Sequence, residues 1–244
     1  MQNREIKNRK AVFVIGTDTE VGKTLVTGLL ARYLLDRGVR VITQKWVQTG
    51  SKGLSPDIAA HLELMGTGGR DIDKYLSCMA PYVFGLAASP HLAAEVENEK
   101  INAGRIKDCF FRLSEEFDFV IVEGTGGALV PLDREKFVID IAVELVLPAI
   151  IVVKNKLGAI NHTILTIEAL KSRGIEISGI VLNGQRETED EAILQDNPKI
   201  ITELTGVKVL GSLPWSKEMS ILHEAFIPIG NNILAQLTRQ RQDE

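Results

Sequence analysis

This chain has little cysteine: two residues in 244, Cys78 and Cys109. They stand in no metal-binding or redox spacing, so both read as packing residues in a reducing cytoplasm. Histidine is also sparse. The four, His61, His91, His162 and His223, show no metal spacing and no obvious acid or nucleophile partner, so structural or surface roles are expected. Basic excess is missing too, with 28 Lys and Arg against 32 Asp and Glu. That balance argues against nucleic acid and anionic membrane surfaces, and favours a small-molecule substrate. The apolar stretch 145–153 is far shorter than the ~20 residues a membrane helix needs. Residues 1–10 carry no apolar signal core and read as a polar lead-in. No repeat, low-complexity tract or Pro/Gly-rich linker divides the sequence, so 1–244 reads as a single domain with room for a substantial core.

What is present is alternation. Short, β-branched apolar runs occur at 11–15, 39–43, 119–122, 149–153, 177–182 and 207–210. Such runs suit strands covered on both faces. Helical stripes lie between most of them. Leu29, Leu30, Tyr33 and Leu34 precede a stop at Arg37-Gly38, and Ile160, Ile164, Ile167 and Leu170 precede Arg173-Gly174. Asn102 can cap a helix through Phe110, Phe111 and Leu113. The fold class expected is α/β, a mostly parallel sheet with helices on both faces. Residues 66–91 give no confident elements, and the acidic stretch 187–191 reads as a solvated loop or helix start.

The most informative stretch is residues 16–24, GTDTEVGKT, between the first apolar run and a helix expected over 25–36. A glycine-bearing loop there lets backbone N–H groups and a helix N-terminus wrap a polyphosphate. Lys23 would reach the β/γ-phosphates, and the Thr24 hydroxyl would help hold Mg²⁺. Five residues, not the usual four, separate Gly16 from Gly22, and Thr17 stands where the first glycine is expected.

Ligands of parallel sheets gather beyond the carboxyl ends of the strands. Lys45 follows the second apolar run, either as a surface charge or as a cation near a transferring phosphoryl group. Glu123 ends the third, before Gly124, Thr125, Gly126 and Gly127. It can ligand Mg²⁺ or cap a turn. Asp57 in Ser-Pro-Asp looks first like a helix-start acid. The stretch 158–161 (Gly158, Ala159, Ile160, Asn161) opens a helix and could receive a carboxylate or be an ordinary cap.

Together these segments resemble the dethiobiotin synthetase family, the ATP-dependent carboxylases of biotin biosynthesis. The resemblance runs from residue 11 to about 216. It is carried by GTDTEVGKT at 16–24, VEGTGG at 122–127 with Pro131-Leu132 behind it, KLGAINH at 156–162, and Tyr82-Val-Phe84 with Ser89-Pro90-His91. It implies a phosphate-loop NTPase-like fold with ATP, CO₂ and 7,8-diaminononanoate as substrates, and Thr24, Asp57 and Glu123 around Mg²⁺. Lys23 and Lys45 would contact the transferring phosphate, Lys45 as the catalytic lysine. Glu20, Val21, Gly22, Lys23, Thr24 and Leu25 would line the phosphates, with Thr19 near the substrate amines. Thr49 would help bind substrate, and Glu123, Gly124, Thr125 and Gly126 would border both ligands. Asn183 with Gly184 would read adenine, beside a wall of Leu213, Pro214 and Trp215. Residues 158–161 would accept the substrate carboxylate across a homodimer interface.

Two positions depart from the family. Trp46 follows Lys45 where proline is usual, and 85–88 lacks a proline often found before Ser-Pro-His. Three other readings stay open: another amide-forming ATPase of the cobyrinate-amidating type, a nucleotide-switch or partitioning ATPase, and a non-catalytic homologue, for which Trp46 is the only hint. The first would bring a glutaminase domain, which no segment suggests. The second usually carries a further lysine early in the loop, and 17–20 has none.

Overall fold

Short runs that are apolar on both faces need cover on both sides, and here they have it. The computed structural model describes residues 11–66, 72–184 and 190–239. Its strands are β1 (Ala11–Gly16), β2 (Val41–Lys45), β3 (Val47–Gln48), β4 (Tyr82–Val83), β5 (Phe119–Glu123), β6 (Ala149–Lys154), β7 (Ile177–Asn183) and β8 (Val209–Leu213). Six of these form one sheet in the order β2-β5-β1-β6-β7-β8. Every pairing in it is parallel. The remaining two, β3 and β4, pair separately.

The helices are α1 (Lys23–Leu35), α2 (Pro56–Met65), α3 (Leu76–Met79), α4 (Pro90–Val96), α5 (Ala103–Glu116), α6 (Val138–Glu144), α7 (Ala159–Lys171), α8 (Glu191–Thr205) and α9 (Met219–Arg239). Side chains of β1 alternate between two cores, as strand geometry requires. Phe13 and Ile15 pack with Phe110 and Leu113 of α5, Ile141 of α6 and Ile167 of α7. On the other face, Val12 and Val14 meet Leu29, Leu30 and Leu34 of α1 and Phe226 and Ile233 of α9. The mostly parallel, doubly covered sheet expected from the alternation is therefore what forms.

Two strands start later than the apolar pattern suggests. β2 begins at Val41 rather than 39, and β8 at Val209 rather than 207. The stretch 66–91 contains a 3₁₀ turn over Asp73–Tyr75, then α3, β4 and the start of α4, pieces too short to show a period. Asn102 caps α5 by accepting from the Gly104 N–H at 2.7 Å. The 1–10 lead-in, residues 67–71 and residues 187–189 of the acidic stretch lie outside the described residues. The far end of that stretch is a helix start, where Asp190 caps α8 by accepting from the Ala192 N–H. No helix among the described residues is long and apolar enough to cross a membrane.

Cys78 is buried on α3, and Cys109 is half-buried on α5. Burial and a hydrogen bond with Cys78 push the Cys109 thiol up to about 12, so it carries negligible thiolate at neutral pH.

Candidate active site

Strand register builds the site. Parallel pairing of β2 with β5 makes Lys45 and Glu123 partners on the last rung, and pairing of β1 with β5 sets Val14 beside Glu123. Beyond that edge, β1 hands over to the 16–24 loop and α1. A cleft of about 900 Å³ opens there. Thr19, Glu20, Lys23 and Thr24 border it from the loop, and Lys45, Thr49, Asp57, Glu123, Thr125 and Gly126 from the other strand ends. Ala87, Ser89 and Pro90 close a further side.

The loop adopts its shape through two left-handed residues, Glu20 at φ 55° and Gly22 at φ 100°. Gly22 is also the residue preceding α1, and no side chain caps that helix start. By contrast, Ser55 caps α2 by accepting from the Ile58 N–H at 3.2 Å. The first turn of α1 thus keeps its N–H groups available for an anion. A Cβ at position 22 would lie 2.1 Å from Asn183 Nδ2, so a side chain there would have to displace that amide as well as strain the torsion. That amide donates to the Val21 carbonyl at 3.0 Å and ties the end of β7 to the loop.

Four oxygen-bearing and cationic groups converge. The Thr24 hydroxyl lies 3.1 Å from Glu123 Oε1 and 3.3 Å from Asp57 Oδ1. Lys45 Nζ lies 2.7 Å from Glu123 Oε1 and 2.8 Å from Asp57 Oδ2, and donates to the Gly124 carbonyl at 2.9 Å. Lys45 is 4% exposed and Glu123 1%, so little water screens the pair. A surface position for Lys45 is therefore ruled out. Lys23 Nζ reaches back to the Asp18 carbonyl at 2.7 Å.

Protonation follows from this packing. Burial alone would raise the Glu123 carboxyl, but the Lys45 charge and the His61 hydrogen bond outweigh it and hold it well below the usual range. Burial likewise opposes charge on Lys45, and Glu123 and Asp57 more than compensate, raising it. Lys23 lacks so close a counter-ion. Burial and the neighbouring Lys45 lower it to about 8.

Other expected positions fall elsewhere. The Gly184 N–H bonds the Leu213 carbonyl at 2.8 Å, which joins the ends of β7 and β8 where Pro214 and Trp215 follow. Trp215 is 46% exposed. Residues 158–161 start α7 and do not border the cleft; Gly158 precedes the helix at φ 84° without a side-chain cap. Trp46 does not enter the site either. Its ring is fully buried, stacked on Phe13 at 5.2 Å, and its Nε1–H donates to Gln44 Oε1.

His61 corrects the expectation that no histidine has an acid partner. Its Nε2 lies 2.7 Å from Glu123 Oε2, and Nδ1 lies 3.1 Å from Thr43 Oγ1. Glu123 is 62 residues away in sequence, so local spacing carried no trace of the contact. The available signal was a histidine within the buried stripe Ile58, His61, Leu64 and Met65.

A six-stranded parallel sheet with a lysine-bearing phosphate loop at the end of its central β1 defines a P-loop ATPase fold. A family profile described as an AAA domain matches residues 10–221. Among solved structures, MinD from Pyrococcus horikoshii OT3, complexed with Mg-ADP, superposes with a TM-score of 0.61 at 15% identity, over 96% of this chain and 98% of that one. The pNOB8 ParA structure gives 0.60 at 15%, over 95% and 99%. Identities this low speak for the fold alone. Sequence relatives are much nearer. ATP-dependent dethiobiotin synthetase BioD of Chlorobaculum tepidum is 42% identical over 200 residues, 82% of this chain and 83% of its own length. BioD 2 of Pasteurella multocida is 39% identical over 188 residues, 77% and 87%. The chain belongs to the ATP-dependent dethiobiotin synthetases, enzymes of the ligase class that form C–N bonds.

Proposed function

We propose that this chain makes dethiobiotin from 7,8-diaminononanoate, CO₂ and ATP, releasing ADP and phosphate. The observation that carries the reading is the convergence of Lys45, Glu123, Asp57 and Thr24 beside the 16–24 loop. It joins a phosphoryl-transfer site to a cleft roomy enough for a second substrate. Similarity to the named synthetases at 39% and 42% identity supports the same chemistry.

One substrate amine adds to CO₂, giving a carbamate and releasing a proton. A carbamate oxygen then attacks the γ-phosphorus of ATP, giving a carbamoyl–phosphate anhydride and ADP. The second amine closes on the activated carbonyl and expels phosphate, which leaves the cyclic urea. Lys23 and Lys45 provide positive charge where carbamate and γ-phosphate would repel each other. No protein nucleophile is needed, since phosphoryl transfer rests on positioning and charge. Ring closure is intramolecular, so holding both nitrogens in place supplies much of the remaining advantage. Thr19, Thr49 and Gly126 line the cleft where the diamine would lie.

Thr24, Asp57 and Glu123 fit a Mg²⁺ ion. Their oxygens are hard donors already within 3.3 Å of one another through the Thr24 hydroxyl. Two carboxylates and a hydroxyl suit a cation shared with phosphate oxygens rather than an all-protein cage. Such an ion supplies charge neutralisation on the triphosphate when bound. Asn183 and Gly184 would face the adenine, with Leu213, Pro214 and Trp215 as its wall. The uncapped start of α7 would take the substrate carboxylate from a second copy in a homodimer. Its neighbour Leu157, 73% exposed, supports a covered surface there. The reading includes a single domain and a cytoplasmic setting.

The deciding experiment is incubation with diaminononanoate, labelled bicarbonate and Mg-ATP. Acid-stable label in a cyclic urea is the expected result. Phosphate release without label would instead favour a nucleotide switch.

A further inference from the structure

Among the described residues, His61 is the titratable side chain in contact with this cluster that phosphoryl chemistry leaves without a task. It sits on α2 at the spacing of an apolar stripe, in line with the buried Ile58, Leu64 and Met65. A buried imidazole is tolerated only when both nitrogens are satisfied, and here both are. A carboxylate can only accept, so Nε2 carries the hydrogen that bonds Glu123 Oε2 at 2.7 Å. The Thr43 hydroxyl completes the relay at Nδ1, 3.1 Å away. His61 is 0% exposed, so neither bond competes with water.

We infer that His61 is a positioning residue that fixes the plane of the Glu123 carboxylate, so that Oε1 faces Thr24 and Lys45 and is presented to the cation of the nucleotide. This rests on the proposed reading of Glu123 as a metal-binding side chain. The division of labour between the two oxygens supports it: Oε2 meets His61, while Oε1 alone meets Thr24 and Lys45. Tilting the carboxylate out of this plane would break the Oε2 hydrogen bond, so the imidazole holds the plane in which Oε1 faces Thr24 and Lys45. Asp57 lies four residues earlier on the same helix, so α2 delivers one carboxylate to the cluster and immobilises the other. Groups that hold a metal ligand from behind commonly matter ~10–100-fold in metal affinity.

The test uses the full chain and needs no diaminononanoate. Mn²⁺ is titrated into the protein–ADP complex and the free ion counted by electron paramagnetic resonance. ADP affinity in EDTA is measured alongside by calorimetry, and folding by circular dichroism. His61→Leu is expected to weaken Mn²⁺ retention ~10-fold or more with ADP affinity in EDTA unchanged. His61→Gln, which can keep an N–H toward Glu123, should restore most of it. Thr43→Val, milder for folding, should lose several-fold. Wild-type Mn²⁺ retention in folded His61→Leu, or in Thr43→Val if the leucine variant fails to fold, would overturn the inference. Equal weakening with and without metal would do the same, marking His61 as packing only. A wild-type complex that retains no Mn²⁺ would overturn both this role and the metal site. Failure of the dethiobiotin reading alone would appear as no labelled urea with metal retention intact.

Discussion

Lys45 and Glu123 are cross-strand partners on the last rung between β2 and β5, with Nζ and Oε1 2.7 Å apart. The pair arises from parallel register, since each strand ends its apolar run at the same edge of the sheet. Both side chains are almost fully buried, so each charge depends on the other to remain in place. The same two groups hold the sheet edge together and face the cleft.

Lys45→Ala should therefore act on both rate and stability. On the proposed role of Lys45 beside the transferring phosphate, its loss is expected to lower kcat by ~10²–10³. The Glu123 charge left buried would cost about 3–5 kcal/mol of folding stability, reduced as far as water can enter. Single-turnover carbamate phosphorylation on folded protein separates the two effects. An unchanged rate constant there would refute the role given to Lys45.

Trp46 occupies the next position and serves the core. The ring stacks on Phe13 with planes 17° apart, and its N–H satisfies Gln44. Trp46→Ala should cost about 3–5 kcal/mol in urea unfolding. Trp46→Phe should cost about 1–2 kcal/mol, because the stack persists while Gln44 Oε1 loses its donor. A loss below about 1 kcal/mol for the alanine variant would show that the stack contributes little.

How much of this was readable beforehand differs by element. β1, β5, β6 and β7 are long, β-branched and central, so periodicity alone located them to within a residue. β8 was placed two residues early at its start and three at its end, because the apolar run stops before Gly211 and Ser212; their backbone is held by pairing with β7. The loop and Glu123 were visible because glycines and a strand-end acid are local signals. Lys45 was ambiguous, since its burial is set by Asp57 and Glu123, distant in sequence. His61 was missed because its partners lie on β2 and β5, and its helix stripe looked like ordinary core.

Gly22→Ala tests the loop itself. Alanine at φ 100° is strained, and its Cβ would collide with Asn183 Nδ2 at 2.1 Å. Relief would push Asn183 away from the Val21 carbonyl or tilt the start of α1. The variant should bind ADP at least ~10-fold more weakly, with a strain cost of about 1–3 kcal/mol. Fluorescence titration with a labelled nucleotide reads this directly, and wild-type affinity would mean the loop tolerates a side chain there.

Lys23 gives the pH dependence. Burial, then Lys45, lower it to about 8. In the unfolded chain a lysine titrates near ~10.4. Between those values the unfolded state holds the extra proton, so the Lys23 contribution to stability rises with pH over that window. Nucleotide binding responds in the opposite sense. Phosphate oxygens favour the ammonium form, so binding near pH 8 should take up roughly half a proton. Affinity should then fall by up to about tenfold per pH unit above pH 8. Calorimetry of ADP binding in buffers of different ionisation enthalpy measures the uptake, and Lys23→Gln should abolish it. Proton uptake that persists in that variant would move the titrating group elsewhere and remove Lys23 as the phosphate-facing cation.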